Sequence, residues 1–293
     1  MRAAIAIGSN STRMLAANLR NGELVDTVRE REETRLFLGM DENNNILPER
    51  LEATAQAVLT LARKARAAGA KDIALLATSA TRDAANSDAL ARRIRELTGL
   101  ELQVIPGEEE ARLAFRAAAG QERRLVMDIG GGSTEWTLGE KGQVEWAVSA
   151  QLGCSRLYKV RPVNSLADAQ AVYGMAEEIF LKQKEQLDRF APAPGLIGMG
   201  GTCTAAASIQ RGRFVHGIDV DGDVLTRDLV REQWEWLSPM SVEERKRVPG
   251  LPLGRVLYMP HGLSILLAAM TVLGFDRFTV SGKNNTDGYL LGK

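Results

Sequence analysis

The chain has 293 residues, and its 37 Lys and Arg balance its 37 Asp and Glu, so the formal net charge at pH 7 is zero. That balance gives no support for a DNA, RNA or membrane-surface partner, each of which favours a basic excess. Hydrophobic residues make up 45% of the chain, enough to bury a core, and the length predicts two domains.

Cysteine and histidine are too scarce for a zinc site. The two cysteines, Cys154 and Cys203, lie far apart without a CxxC pattern, and there are two histidines. The first residues lack the hydrophobic region of a signal peptide, and the longest apolar stretch, Leu263–Leu273, is too short to span a bilayer. We therefore expect a cytoplasmic protein with reduced cysteines.

The first part of the chain alternates short apolar runs with longer helical patterns. The Asn21-Gly22 pair predicts a hairpin between the second and third strands. Gly69 and Gly99 mark helix ends. Strands are predicted over Ala3–Ile7, Met14–Leu19, Leu24–Arg29, Ile73–Ala77 and Leu102–Ile105, and helices over 48–68, Asp83–Thr98 and Glu108–Ala119.

The same order of elements returns in the second part. A helical insertion with polar loops is expected over 211–248. Strands are predicted over Leu125–Ile129, Glu135–Leu138, Val144–Ser149, Leu196–Met199 and Phe278–Val280, and helices over Leu166–Phe190, after Gly200-Gly201-Thr202, over Leu253–Leu273 and after Ser281-Gly282.

An internal repeat relates the two parts. Ile7-Gly8-Ser9-Asn10-Ser11 matches Ile129-Gly130-Gly131-Gly132-Ser133 at an offset of 122 residues, and about the same offset brings Thr78 to Gly200. We interpret this as a duplication and predict an α/β fold of two similar halves, each a mixed sheet covered by helices. The domains are expected at 1–119 and 120–293, the last helix either staying with the second or packing back on the first. A ligand cleft is expected between them.

The glycine- and serine-rich turns that follow buried strands are candidate phosphate sites. Consecutive backbone N–H groups and hydroxyls, such as those of Ser9, Ser11, Ser133 and Thr134, suit an anion. The alternative for one loop is an ordinary tight turn. Two duplicated loops favour phosphate.

Carboxylates stand beside these loops. Asp128 ends a buried strand, where it would either cap the following loop or, with phosphate oxygens, bind Mg²⁺. Glu108, Glu109 and Glu110 open a helix, and they serve its dipole unless one of them accepts a proton from a water molecule that attacks phosphorus. Helical spacing sends Glu109 and Glu110 in different directions, so we expect one to face the cleft.

Two arginines next to the loops have two possible roles. Arg82 and Arg13 could each bind phosphate through a forked guanidinium or form an ordinary salt bridge. The Arg123-Arg124 and Arg211/Arg213 clusters could supply a local basic track for a polyanion.

Five motifs together resemble the exopolyphosphatase/guanosine pentaphosphate phosphohydrolase (Ppx/GppA) family of the actin and sugar-kinase superfamily, in its short two-domain form. They occur in the family's order over essentially the whole chain: IGSNSTR (7–13), ATSATRDA (77–84), PGEEEARLAF (106–115), MDIGGGSTE (127–135) and GMGGT (198–202). The resemblance implies duplicated ribonuclease H-like (actin-like ATPase) domains with an inter-domain cleft.

The resemblance also implies residue roles. Glu110, before the alanine of the Glu-Glu-Ala motif, becomes the general base, with Glu109 as the open alternative; Asp128 and Glu135 are assigned to Mg²⁺. The phosphate-binding set is Gly8, Ser9, Asn10, Ser11, Arg13, Arg82, Gly130, Gly131, Gly132, Ser133, Thr134, Gly200, Gly201 and Thr202.

Three segments depart from the family pattern. Ala6 stands where the family usually has Asp, and it is the repeat partner of Asp128. The segment from Arg255 to Gly262 lacks an acid, and the segment after Gly282 lacks the usual arginines.

The resemblance implies Mg²⁺-dependent hydrolysis of a terminal phosphoanhydride of inorganic polyphosphate, pppGpp or both, without a covalent enzyme intermediate. The alternatives are a degenerate member that binds such ligands as a sensor, which Ala6 favours, and a phosphotransferase that uses ATP. A homodimer is also an expectation.

Overall fold

A computed structural model describes residues 1–292. The strands are β1 (Arg2–Ile7), β2 (Thr12–Arg20), β3 (Glu23–Glu32), β4 (Asp72–Ala77), β5 (Leu102–Val104), β6 (Arg124–Ile129), β7 (Thr134–Glu140), β8 (Gln143–Ala150), β9 (Leu196–Met199), β10 (Val224–Thr226) and β11 (Arg277–Val280). The helices are α1 (Pro48–Ala67), α2 (Ser79–Asp83), α3 (Ser87–Thr98), α4 (Gly107–Ala118), α5 (Cys154–Val160), α6 (Leu166–Leu187), α7 (Gly200–Gln210), α8 (Arg227–Leu237), α9 (Val242–Arg245), α10 (Met259–Leu273) and α11 (Asn285–Leu291). Short 3-10 helices cover Phe37–Gly39, Gly217–Val220 and Leu253–Arg255.

The chain forms two compact units. The first runs from Met1 to Ala117 and includes the segment from Asn285 onward, and the second covers Ala118–Asn284. The units thus divide between Ala117 and Ala118, and the last helix, α11, belongs to the first unit.

The first unit contains a mixed five-stranded sheet in the order β3-β2-β1-β4-β5. β1, β2 and β3 are antiparallel neighbours, and β1, β4 and β5 are parallel. Asn21 and Gly22 have φ angles of 52° and 82°, the left-handed pair that a tight two-residue hairpin requires. The predicted hairpin is confirmed.

Both faces of this sheet are covered. Ile5 and Ile7 pack with Val58 and Leu61 of α1 in the larger core on one face. Alternation of side chains along β1 turns Ala4 to the opposite face, where it packs with Leu290 of α11 in a smaller cluster. The C-terminal helix is thus part of the packing of the first sheet.

The second unit repeats this topology. Its six-stranded sheet has the order β10-β11-β9-β6-β7-β8, so the run β8-β7-β6-β9-β11 corresponds to β3-β2-β1-β4-β5, and β10 is added at the edge. β6 pairs antiparallel with β7 and parallel with β9, as β1 does with β2 and β4. The expected α/β duplication is confirmed.

Several predicted elements differ in detail. The helix expected over Asp83–Thr98 begins only at Ser87, as α3, and Asp83 is the last residue of the separate short helix α2. Between them the Asn86 side chain accepts a hydrogen bond from the backbone N–H of Ile46 and donates one to its carbonyl, which fixes a non-helical link. The insertion expected to be helical contributes strand β10, and α5 was not predicted. Within residues 1–292 no helix combines the length and apolar character needed to cross a membrane.

Candidate active site

The two glycine loops have the same backbone turn. The N–H of Gly8 donates to the carbonyl of Ser11 at 3.0 Å, and the N–H of Gly130 donates to that of Ser133 at 2.9 Å. A Cβ placed on either glycine would lie within about 3 Å of the same acceptor oxygen, closer than side chains normally approach. Each turn therefore depends on its glycine, and the sequence repeat is also a repeat of local geometry.

Parallel strand pairs bring further loops to the same sheet edges. In the first unit Ile7 lies beside Ala77, and the N–H of Thr78 donates to the carbonyl of Ile7 at 3.1 Å. In the second unit Asp128 lies beside Met199, directly before Gly200. The carboxyl ends of β1 and β4 thus present Gly8–Ser11 next to Thr78, and those of β6 and β9 present Gly130–Ser133 next to Gly200–Thr202.

Asn10 is the most informative residue of the first loop. Its side chain is 5% exposed, and neither its amide oxygen nor its amide nitrogen has a hydrogen-bond partner among residues 1–292. The backbone around it is fixed, because the N–H of Arg35 donates to its carbonyl and that of Phe37 donates to the carbonyl of Ser9. A buried amide normally has partners, so this one fits a polar ligand that would supply them.

In the second unit, side chains that carry oxygen atoms form a row across three strands. Asp128 of β6 lies directly opposite Glu135 of β7, and Glu135 lies opposite Ser149 of β8. Glu135 is 2% exposed, and one of its oxygens accepts a 2.7 Å hydrogen bond from the Ser149 hydroxyl. Like charges directly opposite each other on a sheet are destabilising unless a cation or hydrogen bonds compensate them.

This oxygen row fits Mg²⁺, which takes one or two carboxylates and completes its shell with water and phosphate oxygens. Among residues 1–292 no group of three or more His, Cys, Asp or Glu side chains is arranged to hold a metal. A magnesium ion bound to Asp128 and Glu135 would therefore take most of its ligands from water and substrate.

The matching row in the first unit has the opposite chemistry. Ala6 of β1 lies opposite Arg13 of β2, and Arg13 lies opposite Arg31 of β3. The positions equivalent to Asp128 and Glu135 thus carry a methyl group and a guanidinium. The departure at Ala6 accompanies a row that is cationic instead of acidic.

The three glutamates at the start of α4 have different environments. Glu108 is exposed, Glu109 is half-buried and Glu110 is 6% exposed. One oxygen of Glu110 lies 3.4 Å from Nη1 of Arg82, and the other accepts from the side-chain amide of Asn285 at 3.4 Å. Of the three acids, Glu110 is the one that is both buried and held at each oxygen.

Arg82 is fixed by the backbone as well as by this acid. Its Nη1 donates to the carbonyl of Ile105 at 2.8 Å, and its side chain remains 27% exposed. The positively charged guanidinium thus lies beside the buried carboxylate of Glu110. Of the two roles considered from sequence, the structure shows the ion pair, and phosphate binding by Arg82 stays a prediction.

The third glycine loop, at the start of α7, lies against Asp128. Gly200 has φ +87°, and a Cβ on it would lie 2.7 Å from Oδ1 of Asp128. A Cβ on Gly201 would overlap the guanidinium of Arg255, which is 6% exposed. Together, the N-terminal N–H groups of α7 and this guanidinium form a positive region that suits an anion.

Sequence reasoning noted Arg255 only as part of a divergent segment and gave it no role. It comes from a 3-10 turn far along the chain, and its position above Gly201 is a result of tertiary packing. The nearby thiols of Cys154 and Cys203 are both buried, and burial raises their pKa, so they remain neutral. They carry no chemistry here.

The basic clusters suggested as a polyanion track are largely paired. Arg123 contacts Glu145, Arg124 contacts Glu122, and Arg211 donates from Nε and Nη2 to the two carboxylate oxygens of Asp223. Their charge is balanced locally, which leaves Arg213 as the member of the four with no ion pair among the described residues.

Comparisons with known proteins agree with this architecture. The model of the Ppx/GppA phosphatase family matches residues 16–293. A guanosine-5'-triphosphate,3'-diphosphate pyrophosphatase of Aliivibrio fischeri (strain MJ11) is 31% identical over 303 residues, which cover 100% of this chain and 59% of the relative. The corresponding Vibrio parahaemolyticus protein is 29% identical over 288 residues, 96% of this chain and 56% of the relative. The chain thus spans under two thirds of the length of these relatives.

Solved structures share the fold. The Aquifex aeolicus member of the Ppx/GppA family has a TM-score of 0.82 at 24% identity, covering 99% of this chain and 96% of that one. An exopolyphosphatase from Cytophaga hutchinsonii has a TM-score of 0.89 at 22% identity, covering 98% and 96%. With a family match over nearly its whole length and the duplicated actin-like α/β topology, this chain belongs to the Ppx/GppA phosphatase family.

Proposed function

We propose that the chain hydrolyses the terminal phosphoanhydride of inorganic polyphosphate or of guanosine-5'-triphosphate,3'-diphosphate, with Mg²⁺, and releases inorganic phosphate. The observation that carries the proposal is Glu110, a buried carboxylate held at one oxygen by Arg82 and at the other by Asn285. Membership of a phosphatase family, and the printed names of the relatives, support the reaction class.

Glu110 is proposed as the general base. An ionised carboxylate that is fixed at both oxygens can accept the proton of a water molecule while that water attacks the terminal phosphorus. Its neighbour Glu109 has no such fixation among the interactions described above, which favours Glu110 as the base. The leaving group is the shortened polyphosphate or nucleotide, and no covalent bond to the protein forms.

The phosphate groups are proposed to bind to the glycine loops and to the cations beside them. Asn10 offers the two polar groups of its amide, which have no partner among residues 1–292, and Arg13, Arg82 and Arg255 offer guanidinium groups. Charge-assisted hydrogen bonds from such groups are stronger than neutral ones, and Arg can bind phosphate through two of them. Gly130–Thr134 and Gly200–Thr202 contribute backbone N–H donors.

Asp128 and Glu135 would hold the magnesium ion through their oxygens. When bound, Mg²⁺ neutralises phosphate charge and draws electron density from the reacting phosphoryl group. The hydroxyl of Ser149 keeps the Glu135 carboxylate oriented by donating to its Oε1. In this proposal the metal-binding carboxylates belong to the second unit, whereas phosphate-binding groups come from both units.

The test is phosphate release with Mg²⁺ from short polyphosphate, long polyphosphate and the guanosine substrate, for the parent protein and two matched variants. Glu110→Gln keeps the size of the side chain but removes the base, and should lower kcat by about two to four orders of magnitude while binding is retained. Glu109→Gln, one residue away in the same helix, should keep near-parental kcat. Equal losses in both variants, or none in Glu110→Gln, would refute the assignment of the base.

A sensor that binds these ligands with little turnover is the second candidate. The specific observation in its favour is Ala6, which replaces the usual acid with a methyl group opposite Arg13. Saturable binding of the guanosine ligand without phosphate release, together with release by an Ala6→Asp variant, would favour the sensor.

A further inference from the structure

The exposed aromatic side chain of Phe214 lies in a loop that the phosphate chemistry does not use. Its side chain is 57% exposed, and its ring packs edge-to-face on that of His216, with the ring centroids 5.4 Å apart. His216 and Arg213, on either side of it, are also exposed. An exposed ring with cationic and aromatic neighbours is suited to stacking of another flat group.

This loop is anchored and does not depend on the Phe214 ring for its position. The hydroxyl of Ser208, in α7, donates to the carbonyl of Arg213 at 3.1 Å and accepts from the N–H of Val215 at 3.2 Å. Phe214 lies between these two anchored residues. Its ring is therefore presented to solvent by a fixed backbone, which lowers the entropy cost of binding a ligand there.

The anchors also place the loop beside the start of α7. A Cβ on Gly217 would lie 3.5 Å from the methyl group of Thr204. Val215, two residues earlier in the loop, is hydrogen-bonded to Ser208, one turn farther along α7. Thr204 and Ser208 follow Gly200 by four and eight residues, which corresponds to about 6 and 12 Å along the helix axis. His216 lies between these two levels, so the loop runs back along α7 toward its N-terminus.

The same loop is fixed to the end of β11. A Cβ on Gly282 would overlap the carbonyl of Gly217, and Oδ1 of Asp221 accepts a hydrogen bond from the N–H of Gly282 at 2.8 Å. One end of α7 therefore offers an anion site, at Gly200 and Arg255, and a flat aromatic group is held farther along the same helix. A nucleoside polyphosphate has this arrangement of charge and ring in one molecule.

We propose that the ring of Phe214, with His216 packed edge-to-face beside it, forms a stacking platform for the base of a purine nucleoside polyphosphate whose phosphates bind at the N-terminus of α7. The inference rests on the proposed function and narrows its substrate class, since inorganic polyphosphate has no group that could use the platform. Arg213 adds a cation beside the stacked base. The ligand is recognised by shape and π-surface, which any purine offers.

The experiment compares guanosine-5'-triphosphate,3'-diphosphate with tripolyphosphate, by calorimetric binding at equilibrium and by phosphate release. Phe214→Ala should weaken nucleotide binding and raise its KM by about tenfold or more, since base stacking on an aromatic side chain contributes on that scale. Tripolyphosphate should be unaffected. Phe214→Tyr, which keeps a flat ring, should retain nucleotide binding within about twofold of the parent.

Leu181→Ala is the matched control, because Leu181 is an exposed apolar side chain of the same unit, 53% exposed and on α6. It should leave both ligands unchanged. If Phe214→Ala weakened the binding of both ligands equally, or of neither, the proposed stacking platform would be refuted. If the parent releases no phosphate but its nucleotide binding depends on Phe214, the proposed hydrolysis fails while the platform stands.

Discussion

Asn285 donates its side-chain amide to Oε1 of Glu110 at 3.4 Å, across 175 residues of sequence. The bond forms within the first unit because α11, the C-terminal helix, packs on the first sheet. Gly288 allows this approach, since a Cβ there would overlap the carbonyl of Leu113 in α4. Helix α11 therefore positions the carboxylate of Glu110, which is far from it in the sequence.

Removal of this amide should impair turnover more than binding. Asn285→Leu takes away one of the groups that fix the Glu110 carboxylate, and we expect kcat to fall by about 3- to 10-fold, the scale of one hydrogen bond. Asn285→Asp should have a larger effect and should move the acid limb of the pH–rate profile to higher pH, because two carboxylates would then face each other.

The control for this prediction is Asn43→Leu, an exposed asparagine of the same unit. It should keep the parental kcat and pH profile. If Asn285→Leu changes only the melting temperature and leaves kcat as in the parent, Asn285 has a structural role alone.

Arg13 and Glu135 occupy equivalent positions of the two repeated rows but have opposite charge. Arg13→Gln should raise KM for a phosphate substrate by about tenfold or more, since it removes a charged hydrogen-bond donor, without changing the half-saturating Mg²⁺ concentration. Glu135→Gln should raise that Mg²⁺ concentration. Titrations of substrate at fixed Mg²⁺, and of Mg²⁺ at fixed substrate, separate the two effects. A shift of both parameters in both variants would contradict the division of roles.

Gly201 lies under the guanidinium of Arg255, and Gly174 provides a control. A methyl group at 201 would displace Arg255, so Gly201→Ala should weaken phosphate binding and lower the melting temperature. Gly174 lies in α6, and a Cβ there would meet no neighbouring atom of residues 1–292 within 4 Å. Gly174→Ala should keep activity and stabilise the protein by up to about 1 kcal/mol, the difference in helix propensity. Calorimetry and substrate titration of the two variants check both outcomes.

His261 predicts a pH dependence of stability. Burial, with a smaller contribution from the charge of Arg245, lowers its pKa from 6.5 to about 4. Between these values the unfolded state binds more protons than the folded state, so the free energy of unfolding decreases as the pH falls from about 6.5 to about 4. The loss from this group is up to about 3 kcal/mol.

Chemical denaturation of the parent and of His261→Gln over pH 4–7 measures this contribution. The variant removes the titrating ring while it keeps a donor for the Arg161 carbonyl, which Nε2 of His261 contacts at 2.9 Å. The difference in unfolding free energy between parent and variant should change with pH in the stated direction. A difference that stays constant with pH would show that the pKa of His261 is the same in the folded and unfolded states.

Much of the fold is readable from the sequence because its signals are local. Alternating apolar runs, the Asn21-Gly22 turn and the 122-residue repeat predicted most strands, the hairpin and the duplication, all of which depend on neighbouring residues or on similarity between two segments. Elements that depend on contacts between distant parts of the chain were not predicted from the sequence. Asn86 bonds to Ile46 in a non-helical link, so that α3 begins later than predicted, and β10 forms by pairing with β11.

For the site, the sequence by itself determined which chemistry is present: two glycine loops with their hydroxyls, the acids at Glu110, Asp128 and Glu135, and Arg13 and Arg82 beside them. Only the tertiary structure decided which of three adjacent glutamates is buried and held, that the Asn10 amide has no partner within the described part of the chain, and that Arg255 and Asn285 join residues far away in the chain. The physical reason is that a side chain's type is fixed by its own codon, whereas its burial and its partners are fixed by the packing of segments that the chain order does not bring together.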